Sequence, residues 1–197
     1  MPAHSRSKTA LIALLSLVLF ASGCSAKWIS VALADLPVLA QMALNIGTVV
    51  TTLESGKQLS SGEAAAIQNI SNEASKDLNL LQSLYNQYKA TPSASTIQKI
   101  QSAIADMNQN LPALLQAAHV RDATLSARIT AAVNLILTTV NSLATLLPQV
   151  TAPAQTQAVE AKTIPHAGDL KKLWNQQVCG PSPSTALNSS LTGCPVK

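Results

Sequence analysis

Four times between residues 32 and 147, apolar side chains recur at alternating steps of three and four residues. The first set is Ala32, Leu36, Leu39, Ala43, Ile46, Val50 and Leu53. The second is Ile67, Ile70, Ala74, Leu78, Leu81, Tyr85 and Tyr88. The third is Ile97, Ile100, Ile104, Met107, Leu111, Leu114 and Ala118, and the fourth Leu125, Ile129, Ala132, Ile136, Val140, Leu143 and Leu147. This spacing places each set on one face of a helix, and no strand-like alternation interrupts it. A helix of ~25 residues is ~38 Å long. None of the four can bury its stripe alone. The expected fold is therefore all-α, an up-down-up-down four-helix bundle over residues 35–148.

Local signals place the helix ends. Asp35 is the expected N-cap of the first helix, with Pro37 in its first turn, and Glu54-Ser55-Gly56 ends it. Ser60 and Glu63 fit a capping box for the second. Thr91-Pro92 fits an N-cap followed by proline at the first helical position of the third. Pro112 should kink that helix, or end it near Asn110. Asp122 caps the fourth, and Pro148 stops it.

From Pro148 onward the character changes, since six of the ten prolines lie there. Residues 149–197 read as an extended segment with one short helix from Asp169 to Val178, carrying Leu170, Leu173 and Trp174. Cys179 and Cys194 are expected to pair in an oxidising compartment, which would close this segment. Closing such a loop contributes ~3 kcal/mol in the chain-entropy model. The alternative is two free thiols or pairing between chains.

The N-terminus carries a different message. His4, Arg6 and Lys8 form a basic head, Ala10 to Phe20 is apolar apart from Ser16, and Ala21-Ser22-Gly23-Cys24 follows. A basic head, a short apolar middle and small residues before a cleavage point make a secretory signal, too short for a comfortable transmembrane helix. The motif resembles the lipobox of bacterial lipoproteins. That resemblance implies cleavage between Gly23 and Cys24, with residues 1–23 as the signal peptide. It also implies acylation of Cys24, as with palmitate, and attachment to a lipid bilayer. Two or three acyl chains hold a protein on a membrane where one does not. Ala21 departs from the more usual leucine at its position. Ser25 stands where an aspartate commonly retains such proteins in the inner membrane, so the periplasmic face of the outer membrane is favoured.

Residues 24–34 then form a lipidated N-terminus and short tether. Lys27 and Trp28 are candidates for the membrane interface. Trp28 packed against the base of the bundle is the equal alternative.

Cleavage of 23 of the 197 residues leaves 174, enough for one domain. Losing Arg6 and Lys8 takes the 13 basic residues to 11 against 9 acidic, a net of +2. Charged residues make up 11% of the chain, against roughly 25% in typical domains. With no basic stripe and few aromatic residues, nucleic acid is not an expected partner.

Chemistry-bearing constellations are sparse. His119 and His166 follow no helical ligand spacing, so neither a metal nor another cofactor is expected. His119 is read as a partly exposed residue near a helix C-terminus. No nucleophile elbow or paired carboxylates appear, and no enzymatic activity is expected. The leading class is a non-enzymatic envelope scaffold or interaction module with an unknown envelope protein as partner. The alternatives are a bundle binding a small apolar ligand or lipid in a gap opened at Pro112, and a membrane-active bundle. The last is suggested by the charge-free stretches Leu36 to Leu53 and Ile129 to Val159. Asn134, Asn141, Ser142 and Thr145 weigh against lipid-facing use of the second stretch.

Overall fold

A computed structural model describes residues 28–48, 59–148 and 166–179. Among these the chain is all-α, with no strand. The helices are α1 (Trp28–Thr48), α2 (Ser61–Ala90), α3 (Ala94–Ala118), α4 (Ala123–Ala144) and α5 (Ala167–Trp174), the last continued by a π-helical turn at Asn175–Cys179. All contribute to one hydrophobic cluster. The expected stripes supply it: every member within the described residues is buried except Leu114, which packs partly exposed against it. Val50 and Leu53, and the expected stop at Glu54-Ser55-Gly56, lie outside the described residues.

α1 corrects the expected N-terminal boundary. Helix begins by Trp28, so Asp35 is not its N-cap, residues 28–34 are not tether, and Pro37 lies inside the helix. A proline there removes one backbone hydrogen bond and costs ~3 kcal/mol. Burial of Trp28, Ile29 and Ala32 offsets it, at ~1.5–3 kcal/mol for each large side chain. The Pro37 ring itself is exposed.

α1 runs antiparallel to α2. The Trp28 indole sits edge-on to Tyr85, ring centroids 5.7 Å apart, and tilted against Tyr88 at 5.6 Å. Further along, the Ser71 hydroxyl donates to the Ala43 carbonyl at 2.8 Å. The helices come close enough there that a Cβ on Gly47 would lie 2.7 Å from Ser71 Oγ. Only a residue without a side chain fits against α2 at that level.

α2 opens on the expected capping box. Ser60 Oγ accepts from the Glu63 N–H, and Glu63 Oε2 accepts from the Ser60 N–H at 3.0 Å. Thr91 is not the N-cap of α3; it ends α2, its N–H donating to the Gln87 carbonyl. The cap is Ser93, whose Oγ accepts from the Thr96 N–H at 3.2 Å. A three-residue connection reverses the chain, and Ser93 is the hydroxyl placed at the far side of that turn. α3 then continues through Pro112 to Ala118, so of the two expectations there, a kink or an end near Asn110, the end does not occur. Asp122 caps α4 as expected, accepting from the Leu125 N–H at 2.8 Å.

α3 ends on His119 with φ 42°, ψ 44°, the left-handed conformation that disfavours a Cβ.

α4 is buried on more than its predicted stripe. Val133, Leu135, Leu137 and Thr139 are also covered, and α3, α5 and the π-helical turn all pack on α4. Leu170, Trp174, Val178 and Cys179 point inward there. The short C-terminal helix expected from Asp169 to Val178 thus exists within the helical stretch from Ala167 to Cys179.

Two outcomes are expected. Gly47→Ala destabilises by about 1 kcal/mol, since overpacking of ~1–3 kcal/mol exceeds the ~1 kcal/mol gain in helix propensity. Adding Ser71→Ala recovers part of that loss, so urea titrations around the double-mutant cycle show favourable coupling. Second, His119→Gly stabilises by up to ~1 kcal/mol by relieving the left-handed backbone, measured the same way.

Candidate functional site

The residues expected to carry the lipid, Gly23 and Cys24, lie outside the described residues, as do Lys27 and Cys194. Cys179 lies buried at the end of the π-helical turn. Trp28 is 9% exposed and held by two tyrosines. The structure thus packs it in the hydrophobic cluster. The Tyr85 hydroxyl beneath it has no hydrogen-bond partner among the described residues, and burial pushes its pKa up.

Polar chemistry gathers at three other places. The first is Asp35, in the middle of apolar α1 and 1% exposed. It lies near the start of α5, close enough for the His166 charge and the Ala167 backbone to act on its carboxyl. His166, at the N-cap position of α5, makes no side-chain cap bond. Oδ2 of Asp35 has no partner among the described residues. Burial pushes this carboxyl above the usual aspartate range, while His166 and the Ala167 N–H pull it back.

The second is the junction at Glu63. Oε2 accepts from the Ser60 hydroxyl at 2.6 Å and the Ser60 N–H at 3.0 Å. Oε1 accepts from the Arg121 N–H at 2.8 Å. One carboxylate therefore closes the N-terminus of α2 and fastens the α3–α4 connection to it. Those donors, the Ser60 hydroxyl foremost, hold its pKa down at about 2.

The third is the α2–α3 face. Asp77 is buried with Oδ2 unpartnered among the described residues, and burial raises its pKa, with Glu73 and Asp106 adding to the rise and Lys76 opposing it. Beside it runs an open groove of about 550 Å³ between Asn69, Asn72 and Glu73 of α2 and Asn110, Ala113, Leu114 and Ala117 of α3. It flanks Pro112, where an apolar gap was expected. Its α2 wall is amide and carboxylate, its α3 wall is mainly Ala113, Leu114 and Ala117, and it is open to solvent. Among the described residues, no His, Cys, Asp or Glu group is arranged to hold a metal ion.

α1 and α4 are long and apolar enough to cross a membrane, yet over half of each apolar window is buried here. The polar residues of α4 divide in two. Thr139, Ser142 and Thr145 bond back to carbonyls at Leu135, Thr138 and Ser142 and so satisfy themselves. Asn141 instead exchanges two amide hydrogen bonds with Asn108 of α3, at 2.8 and 2.9 Å. Asn108 also reaches the Ile104 carbonyl. Nothing in the sequence pattern singles out Asn108.

No family model, curated protein or solved structure matches this chain.

The low pKa of Glu63 makes its contribution pH-dependent. A depressed folded-state pKa stabilises above the ordinary value of 4.5, and that contribution is lost as pH falls toward about 2. Glu63→Gln is expected to lower Tm at pH 7 and to match the parent chain near pH 2, followed by circular dichroism across that range.

Proposed function

We propose that this chain is an exported bacterial lipoprotein, acylated on Cys24 and held on a bilayer, whose helical part serves as a non-enzymatic scaffold or interaction module. One observation carries the reading: the basic head at His4, Arg6 and Lys8, the apolar run to Phe20, and Ala21-Ser22-Gly23-Cys24 at its end. In this reading the signal is cut between Gly23 and Cys24, and Ser25 favours the periplasmic face of the outer membrane. Acylation at Cys24 supplies attachment that no apolar patch on the folded helices need supply.

In the same reading α1 to α4 form an up-down-up-down four-helix bundle. The antiparallel run of α1 on α2 and the short connections flanking α3 support this topology. Cys179 and Cys194 close the C-terminal segment by a disulfide, as befits an exported compartment. The partner is a protein of the same envelope, met through a surface poor in charge and rich in Asn, Gln, Ser and Thr. Neither a small-ligand nor a membrane-active role gains a specific support. The groove beside Pro112 is open to solvent and shared between amide and apolar side chains, and over half of each apolar window of α1 and α4 is buried.

Metabolic labelling with an alkyne fatty acid tests the anchor. The parent chain is expected to take up label and partition with membranes. Cys24→Ala is expected to lose the label and to leave the lipidated membrane fraction. An unlabelled parent, or label persisting in the variant, overturns the assignment. Crosslinking in the intact envelope then identifies the partner.

A further inference from the structure

We propose, resting on the reading of this chain as an interaction module, that the open groove between α2 and α3 receives an extended polypeptide segment of the partner, with a basic side chain of that segment set against Glu73. The groove holds about 550 Å³, within the range of ligand-binding clefts, and is open to solvent. Its α3 wall runs from Asn110 to Ala117, ~10 Å of helix. About three extended residues span the same distance. Ala113 and Ala117 stand one turn apart on that wall, both exposed, with Leu114 half-buried between them. Methyl groups there let a main chain approach α3 closely, and Leu114 offers one larger apolar contact.

The hydrogen bonds come from amides. Asn69 and Asn72 stand three residues apart on one face of α2, across the groove from Asn110. A side-chain amide carries a carbonyl acceptor and N–H donors, the same pair that a peptide unit presents, so the two match in both directions. These amides are uncommitted. The side chains of Asn69 and Asn110 are exposed and bond to no described residue, and Asn72 uses only its Oδ1, which accepts from Gln68 Nε2 at 3.1 Å. Asn108 and Asn141, outside the groove, differ: their amides are spent on each other.

Charge selects the segment. Glu73 lines the groove, and its ion pair with Lys76 at 3.2 Å is exposed. Such a pair is weak and yields to a competing cation. The antiparallel register that sets Glu73 across from Asn110 brings Asp77 and Asp106 level with each other one turn further on. Both Glu73 and Asp106 act on the buried Asp77 carboxyl, as that register requires. Three acids against one lysine favour a cationic side chain at this end of the groove and disfavour an anionic one.

Nuclear magnetic resonance on the full chain in detergent, labelled with nitrogen-15, tests this. The probes are two mixtures of acetylated and amidated tetrapeptides, with lysine or glutamate fixed at the second position and the others varied over alanine, leucine, serine and threonine. The lysine mixture is expected to shift the side-chain amide signals of Asn69, Asn72 and Asn110 while those of Asn108 and Asn141 stay in place. The glutamate mixture is expected to bind about threefold more weakly, the scale of an exposed charge pair. Ala113→Trp, which fills the groove from an exposed position, is expected to abolish the shifts, and Glu73→Lys to reverse the preference between the mixtures. Silent groove amides, as when this chain's own residues or a second copy already fill the groove, overturn the proposal, and so does an unchanged preference in Glu73→Lys. A partner crosslinked in the envelope while the groove stays silent removes the groove and leaves the interaction reading standing.

Discussion

The contact between α1 and α2 governs the remainder of the structure. α1 carries one ionisable residue, and that residue is buried. Such a helix cannot rest in water on its own propensity; it exists because α2 offers a complementary face. At one end that face is aromatic, with Tyr85 and Tyr88 receiving Trp28. At the other it is small, with Ser71 meeting Ala43 and Gly47 at close range. Bulk at one end and its absence at the other fix the register between the helices. A shift by one turn would drive the Trp28 ring off its tyrosines and press a larger residue of α1 onto Ser71.

Once the apolar stripes are paired, the fold's remaining work is polar. Helix ends and buried hydroxyls are satisfied locally wherever they can be: Ser60, Ser93 and Asp122 cap their own helices, and the hydroxyls of α4 bond back to their own backbone. Glu63 does more, since it serves its own helix and a distant connection together. Asp35 is the exception. It lies buried in the middle of α1 with Oδ2 unmet among the described residues, where an apolar residue would make a quieter core. Glu63 and Asp35 are both acids held by the fold, yet their pKa values move in opposite directions. Burial raises that of Asp35, while three hydrogen-bond donors lower that of Glu63.

The legibility of these features follows from the range of the forces involved. Stripes such as Ile67 to Tyr88 were legible because helical periodicity is printed in the local order of residues. So was the Ser60–Glu63 box, whose partners stand three apart. The same local rules misread Asp35. An acid two residues before a proline has the form of an N-cap, and only the burial of Trp28, Ile29 and Ala32 against α2 overrides it. Thr91 lost to Ser93 because two candidate caps stood two residues apart, and the reach of the turn chose between them. The Asn108–Asn141 bridge joins residues on different helices, and no periodicity marks such a pair. The lipobox was read wholly from short-range motif, and its residues fall outside those the structure describes.

The position of Trp28 bears directly on the proposed anchoring. With Trp28 as an interfacial residue, the membrane contact would extend into the tether and the bundle could float at a variable height. With Trp28 in the core, only Ser25, Ala26 and Lys27 separate Cys24 from rigid structure. Four residue steps span at most ~14 Å. An acylated Cys24 would therefore hold the end of the molecule that carries Trp28, Tyr88 and the turn from Thr91 to Ser93 close to the bilayer. The opposite end, where Glu63 gathers the start of α2 and the connection at Arg121, would face away. Because α1 and α2 are antiparallel and locked in register, this orientation passes from the lipid to the whole helical domain. On the proposed anchoring, so short a leash on a rigid helix would restrict which surfaces a partner could approach, and would leave the long faces of α2, α3 and α4 accessible.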